Sequence, residues 1–334
     1  MFSEKHYQQL KWIIARNELA NYRRQGSYEY QKPKSDSLID LHERVSGLHL
    51  GLRAPQTDQM IDWLEGIDIN LFKANKLDFE FDLSKLPDIG LRLEEYQTMP
   101  LSSTVNTALE FIHKHKSRNP IIFKNDYWYF QDIIHNHVSN VDEIKKDHLL
   151  IISLPFFDNF QKRQDMDLIF ERCNDLGVPV MLDLIWLPLI HEKIKVCNTE
   201  CVEVITHSMT KTIPIAGTKG GVCFWKKPID KRQSLYCLGN SVGFYLTKKY
   251  LEDFHYYYVR DSLVGLQDKW CEILGITSHN LVIAAQIPQG HFLQDQALSS
   301  NKMHKMFDSQ LFSLIPYYEN DVVLTQYLKD QNIV

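Results

Sequence analysis

Several familiar signals are missing from this chain, and each absence removes a class of function. No apolar run approaches the roughly 20 residues that a membrane-spanning helix needs. The opening stretch, MFSEKHYQQLKWIIARNELANYRRQGSYEY, mixes acids and bases at helical spacing and contains no signal-peptide apolar block. No extended Lys/Arg stripe occurs, and the net charge is −5, so an electrostatic footprint for nucleic acid is excluded. Cysteine is sparse: six residues, at 173, 197, 201, 223, 237 and 271, scattered rather than spaced as a disulfide framework. The motif-like pairs His135/His137 in HNH and Cys197/Cys201 in CNTEC lack the partners a metal site requires, so no metal is expected. Walker loops, GxSxG elbows, internal repeats and low-complexity tracts are also lacking. These absences lead us to expect a soluble cytoplasmic protein with neither a nucleic-acid nor a membrane partner.

What is present suits a globular enzyme-sized fold. The chain has 334 residues, enough for one large domain and a smaller one, with 44% hydrophobic and 24% charged residues. Residues 1–30 read as an amphipathic helix with Leu10, Trp12, Ile13 and Ile14 on its apolar side, and DQMIDWLE (58–65) as a short helix. Residues 66–100 show no usable pattern. Beyond them the rhythm becomes regular. SSTVNTALEFIHKHK predicts a helix burying Val105, Ala108, Leu109 and Ile112, and PIIFK (120–124) and HLLIISLPF (148–156) read as strands. DMDLIFERCNDLG predicts a helix stopped by a left-handed Gly177, with VPVMLDL a buried strand directly after it. CVEVITHS and GGVCFW are two further strands; from about 240 the chain reads as mostly helical, with NLVIAAQI a candidate strand. Strands alternating with helices specify an α/β layer architecture with a mostly parallel sheet. In such sheets ligands bind outside the carboxyl ends of the strands, so the polar residues closing each strand are the ones to weigh.

Two of them carry chemistry. Asp183 ends the apolar strand VPVMLDL, where an unpaired carboxylate is costly. It either caps the following segment or faces a cationic ligand group. Lys211 follows the next strand, among Ser208, Thr210 and Thr212 and ahead of a glycine run. A lysine there is either a solvated loop residue or, when desolvated, a nucleophilic amine of the kind that forms Schiff bases. Together the acid and the amine meet the needs of pyridoxal phosphate: a lysine for its aldehyde, an acid for its ring nitrogen and donors for its phosphate.

On these residues the sequence resembles the fold-type I pyridoxal-phosphate enzymes, the aspartate-aminotransferase superfamily, over roughly residues 95–275. DLIW supplies an aspartate with an aromatic, Trp186, three residues on; SMTKTIPIAGTKGG supplies Ser208 three before Lys211 and Lys219 eight after it. The resemblance implies phosphate contacts from Ser208 and Lys219, an internal aldimine on Lys211, and Asp183 on the pyridinium. It places the phosphate-binding loop at Ser102, Ser103 and Thr104, although Ser103 or Thr104 would equally serve as a helix N-cap. It also implies ring stacking by Tyr127, with Trp128 as the alternative register, and puts Phe157 where the family has an asparagine, with Asn159 the nearby substitute.

The implied architecture is an N-terminal helical arm (1–35), a cofactor-binding large domain (36–240) and an abbreviated C-terminal α/β small domain (241–334). The implied function is that of a pyridoxal-phosphate-dependent homodimer acting on an amine or amino-acid-like small molecule, an aminotransferase by preference. Three departures bear on this. Trp186 stands where a tyrosine is common, and Lys219 where arginine is usual. The last arginine is Arg260, with none beyond it to hold a substrate carboxylate; Arg53 is an outside candidate. Decarboxylase, lyase and acyl-transferring chemistry, or a scaffold that binds without turnover, therefore stay open.

Overall fold

A computed structural model of the chain describes residues 3–6, 8–10, 12, 13, 63, 65, 81–101, 103–209, 211, 212, 220–226, 241–293 and 311–334. The chain divides into two compact units, Arg53–Val259 and Met1–Leu52 with Arg260–Val334.

The first unit is built on a seven-stranded sheet of described residues: β1 (Gln97–Pro100), β2 (Asn119–Phe123), β3 (His137–Val138), β4 (His148–Ser153), β5 (Val180–Asp183), β6 (Val202–Ser208) and β7 (Gly221–Trp225). Their spatial order is β1-β7-β6-β5-β4-β2-β3. The pairs β2–β3, β2–β4, β4–β5 and β5–β6 are parallel, and β7 alone runs antiparallel to its neighbours β6 and β1. Central strands covered on both faces need continuous apolar runs. HLLIIS in β4 and VMLD in β5 meet that need, with Leu149 to Ile152 and Val180 to Leu182 fully buried. The mostly parallel α/β sheet expected from the alternating pattern is the observed one.

The connecting helices are α1 (Thr104–Lys114), α2 (Trp128–Ile133), α3 (Met166–Leu176) and α4 (Ser241–Asp253). α3 ends as anticipated: Gly177 adopts φ 63°, ψ 38°, and its N–H and that of Val178 close the last turn onto Asn174 and Cys173. α1 exists as expected and buries Ala108 as anticipated, but its buried face is shifted, leaving Val105 and Ile112 half-buried. Thr104, Thr107, Ala108 and Phe111 point inward, while Leu109 is 40% exposed. Threonine is tolerated there because its hydroxyl is satisfied within the helix, Thr107 Oγ1 donating to Ser103 O at 3.0 Å. β1 had no signal in the sequence. It is an edge strand closing on Pro100, whose missing N–H costs nothing at its end.

In the second unit, β8 (Thr277–Ser278), β9 (Ala284–Gln286) and β10 (Leu311–Ser313) form a small antiparallel sheet in the order β10-β9-β8. α5 (Tyr258–Leu274) precedes this sheet in the chain, and α6 (Ile315–Glu319) and α7 (Asp321–Asp330) follow it. Gln267 on α5 donates to His279 O and Ala284 O at 2.9 and 2.8 Å, and the Asp321 carboxylate accepts from Trp270 Nε1 at 2.9 Å and Lys269 Nζ at 2.7 Å. The N-terminal and 58–65 helices expected from the sequence lie mostly outside the described residues; residues 4–6, 8–10, 12 and 13 are helical and Leu10 is buried. No helix among the described residues is long and apolar enough to cross a membrane.

Candidate active site

The carboxyl ends of β2, β4, β5 and β6 place Phe123, Ser153, Asp183 and Ser208 along one edge of the sheet. Register then selects the face. Ser153 pairs with Asp183 and Asp183 with Thr206, so these side chains share a face, and Ser208 joins them two residues beyond Thr206. His207, between the two, points to the opposite side and meets Tyr256 OH through Nδ1 at 3.1 Å.

Asp183 is fully buried. Its Oδ1 accepts from Thr206 Oγ1 at 2.7 Å and from Ile185 N at 3.2 Å, whereas Oδ2 has no hydrogen-bond partner among the described residues. Burial pushes this carboxyl up to about 7, the nearby Asp126 carboxylate adding to the rise while Thr206, Ile185 N and Lys211 oppose it. A second orphan lies alongside. The indole of Trp186 is 2% exposed and its Nε1 has no acceptor among the described residues. One buried acceptor and one buried donor, both unanswered, are what a bound polar ligand would satisfy.

Lys211 sits three residues past β6, inside a turn that Thr212 N closes on Met209 O at 3.0 Å, while Met209 N extends the β6–β7 pairing by donating to Gly220 O at 2.9 Å. Its Nζ lies 5.0 Å from the centroid of the Trp186 ring, with no carboxylate in ion-pair range among the described residues. Desolvation lowers its ammonium to about 8, and the field of Asp183 partly opposes the drop. A lysine in this setting has a substantial neutral-amine fraction near neutral pH. The glycine run after it has a steric reason. A Cβ on Gly221 would meet His207 O at 2.6 Å and Leu101 Cδ2 at 2.8 Å, and one on Gly220 would meet Gly243 O at 2.9 Å. Only glycine lets β7 close against β6 here.

An aromatic wall completes the cluster. Tyr127 contacts Phe157 at 5.0 Å and Phe130 at 5.4 Å between ring centroids, and Trp186 contacts Phe160 at 5.4 Å and Phe157 at 6.5 Å. The Tyr127 hydroxyl is held well above the usual phenol range by burial, with the charge of Asp183 contributing.

The structure thus brings Asp183, Trp186, Ser208, Lys211 and Tyr127 to one edge of one sheet. Ser103 caps α1, its Oγ accepting from Asn106 N at 3.0 Å, and Thr104 follows, 6% exposed, at the exit of β1. Asn159 is exposed and its side-chain oxygen accepts from Gln161 N at 3.0 Å, in a local turn. Buried Phe157 holds the interior position instead. Ser102, Lys219 and Arg53 lie outside the described residues. Arg260 begins the second unit and pairs with Asp261 at 2.7 Å. The sequence reading passed over two buried residues: Thr206, whose signal was a hydroxyl two positions before Ser208 on a strand, and Asp126, the acid preceding the aromatic run at the exit of β2.

No protein-family model matches the chain, and no curated protein matches it by sequence. Solved structures do match in fold. Cystalysin from Treponema denticola, which contains a pyridoxal 5′-phosphate cofactor, superposes with a TM-score of 0.52 at 10% identity, over 82% of this chain and 88% of that one. A PLP-dependent aminotransferase from Streptococcus suis gives 0.50 at 11% identity, over 84% and 89%. The chain has the fold of the fold-type I pyridoxal-phosphate enzymes.

Proposed function

We propose that this protein is a pyridoxal-phosphate-dependent enzyme acting on an amine or amino-acid-like substrate, and that its reaction is transamination. The observation that carries the reading is the buried Asp183 with an unanswered Oδ2, in one cluster with a desolvated lysine and the unanswered Trp186 Nε1. The residues fit the cofactor's polar groups: Asp183 Oδ2 for the ring N–H, the Trp186 indole for an oxygen acceptor, and the Lys211 amine for the aldehyde. Ser208, Ser103 and Thr104, with Lys219 and Ser102, would hold the phosphate.

When bound, pyridoxal phosphate supplies an electron sink for the charge left when a bond at the substrate's α-carbon breaks. The chain's own residues do the rest. Lys211 Nζ, unprotonated to a useful extent at neutral pH, takes a proton from the α-carbon and returns one. Asp183, held by Thr206 and Ile185 N, would keep a proton on the ring nitrogen. Tyr127 would cover the ring and, with Phe157, Phe160 and Trp186, would exclude water. The family resemblance supports a homodimer as the working assembly.

The test is spectroscopic and chemical. Purified protein loaded with pyridoxal phosphate should show a visible band that borohydride discharges, fixing the cofactor to Lys211, and Lys211→Ala should lack the fixed adduct. Incubation with a panel of amine donors should then release pyridoxamine phosphate. A wild type that stays colourless with added cofactor overturns the cofactor reading, while a coloured protein from which none of the donors releases pyridoxamine phosphate overturns transamination.

A further inference from the structure

Asp126 is a buried carboxylate that the proposed chemistry does not use. It is 1% exposed and stands at the exit of β2, after a turn in which Asn125 adopts φ 65°. Its two oxygens serve two different segments: Oδ1 accepts from Tyr127 N at 2.7 Å and Oδ2 from Ser153 N at 3.0 Å. Ser153 ends β4 as the register partner of Asp183, and the next residue, Leu154, donates its N–H to Asp183 O at 2.7 Å. One carboxylate therefore ties the backbone under Tyr127 to the strand end beside Asp183. The main chain of Asp126 is pinned as well, its O accepting from Gln131 Nε2 at 2.6 Å.

A fully buried acid is costly, so its retention calls for a geometric reason. Two N–H groups converging from different segments supply it. Asparagine offers one acceptor oxygen and would leave the second N–H facing an NH2 group; only a carboxylate answers both. Among the described residues two charged groups face the site: Asp183, whose carboxyl the Asp126 charge helps push up, and Arg163, which lowers Asp126 and whose guanidinium lies 4.2 and 4.7 Å from the Phe123 and Phe156 ring centroids and is paired with Asp165.

We infer that Asp126 is a positioning residue for the cofactor ring: it sets Tyr127 against Asp183, so that the ring is covered on one face while its nitrogen is held. This rests on the pyridoxal-phosphate reading above. The experiment is a double-mutant cycle on the dissociation constant of pyridoxal phosphate, read from the visible band, with Asp126→Asn, Tyr127→Ala and the double variant. Asp126→Asn should weaken binding about tenfold in the wild-type background and shift the pH at which the band changes colour. It should weaken binding hardly at all once Tyr127 is gone, because it acts through that ring. A purely structural role would lower the melting temperature of the cofactor-free protein and leave the two losses additive. Additive losses, or an unchanged dissociation constant, overturn the inference. Asp126→Ser, which keeps one acceptor in less space, is the second variant; if neither folds, Asp126 is a folding element and the inference falls. Failure of the underlying reading is seen separately, in a wild type that takes up no cofactor before any variant is made.

Discussion

In the proposed reading, the Asp183 carboxyl is the residue on which both stability and chemistry turn. Its ordinary value of 3.8 rises to about 7 in the folded chain. Over that window the folded state keeps a proton that the unfolded state has released. Its contribution to stability is therefore largest below about pH 4, falls as pH rises towards 7, and is flat above. Asp183→Asn removes this slope. The stability of the cofactor-free wild type minus that of Asp183→Asn should thus be more favourable at pH 5 than at pH 8, as measured by urea unfolding at both. Taking the difference cancels the opposite trend from His207, which burial lowers to about 3. An equal difference at both values would mean that Asp183 titrates normally and that its Oδ2 is hydrated. Thr206→Val removes the hydroxyl donating to Asp183 at 2.7 Å and should cost about 1–3 kcal/mol at pH 8, with less lost at pH 5 where the acceptor is uncharged. The same comparison shows what one sequence can reveal at this scale. The placement of Asp183 and Lys211 near one sheet edge was legible because an acid and an amine after successive apolar strands are unusual. Asp126 was not, since the partners that justify it, Tyr127 N and Ser153 N, are backbone groups that no side-chain pattern announces.

At the scale of elements, the strands β2 and β4 to β7 and the stop of α3 were legible because apolar runs and glycine act locally. The phase of α1 was not. Val105, Leu109 and Ile112 made the better apolar stripe on paper, but the sheet takes up Phe111 and accepts threonine beside it, a preference set by the surface opposite. β1 pairs only along one side and ends in proline, so neither alternation nor propensity marks it. Two glycines separate local from tertiary demands. Gly177→Ala meets nothing within 4 Å but must hold φ 63°, and should cost about 1–2 kcal/mol from backbone strain alone. Gly221→Ala drives a methyl into His207 O and Leu101, so the β6–β7 pairing must shift. It should cost as much or more and should also weaken cofactor binding, because β7 holds Ser208 in register through Gly221. Urea unfolding with and without pyridoxal phosphate separates them: the ligand-induced gain should survive in Gly177→Ala and shrink in Gly221→Ala. Equal gains would mean that the glycine run serves packing only.

For the whole molecule, the unanswered groups at the sheet edge make a thermodynamic claim. A buried acceptor on Asp183 and a buried donor on Trp186 both count against the folded state while they stay unpaired. A ligand that answers them binds the native chain and not the unfolded one, and must raise its stability by mass action, by about 2.7 kcal/mol at a free concentration a hundredfold above Kd. In a chain of 334 residues that is a rise of a few degrees in melting temperature, within reach of differential scanning fluorimetry. Pyridoxal phosphate should produce the rise in the wild type. Pyridoxine, which keeps the ring nitrogen and the 3-oxygen but lacks both phosphate and aldehyde, should give a small rise or none at the same concentration. Asp183→Ala should blunt the response to pyridoxal phosphate while raising the melting temperature of the cofactor-free chain above pH 7, because the variant no longer buries an ionised carboxylate with a free oxygen. That pairing of opposite signs, more stable empty and less stabilised when loaded, is the signature of an acid kept for a ligand. A variant that is less stable in both states would make Asp183 a structural cap of the Thr206–Ile185 turn instead.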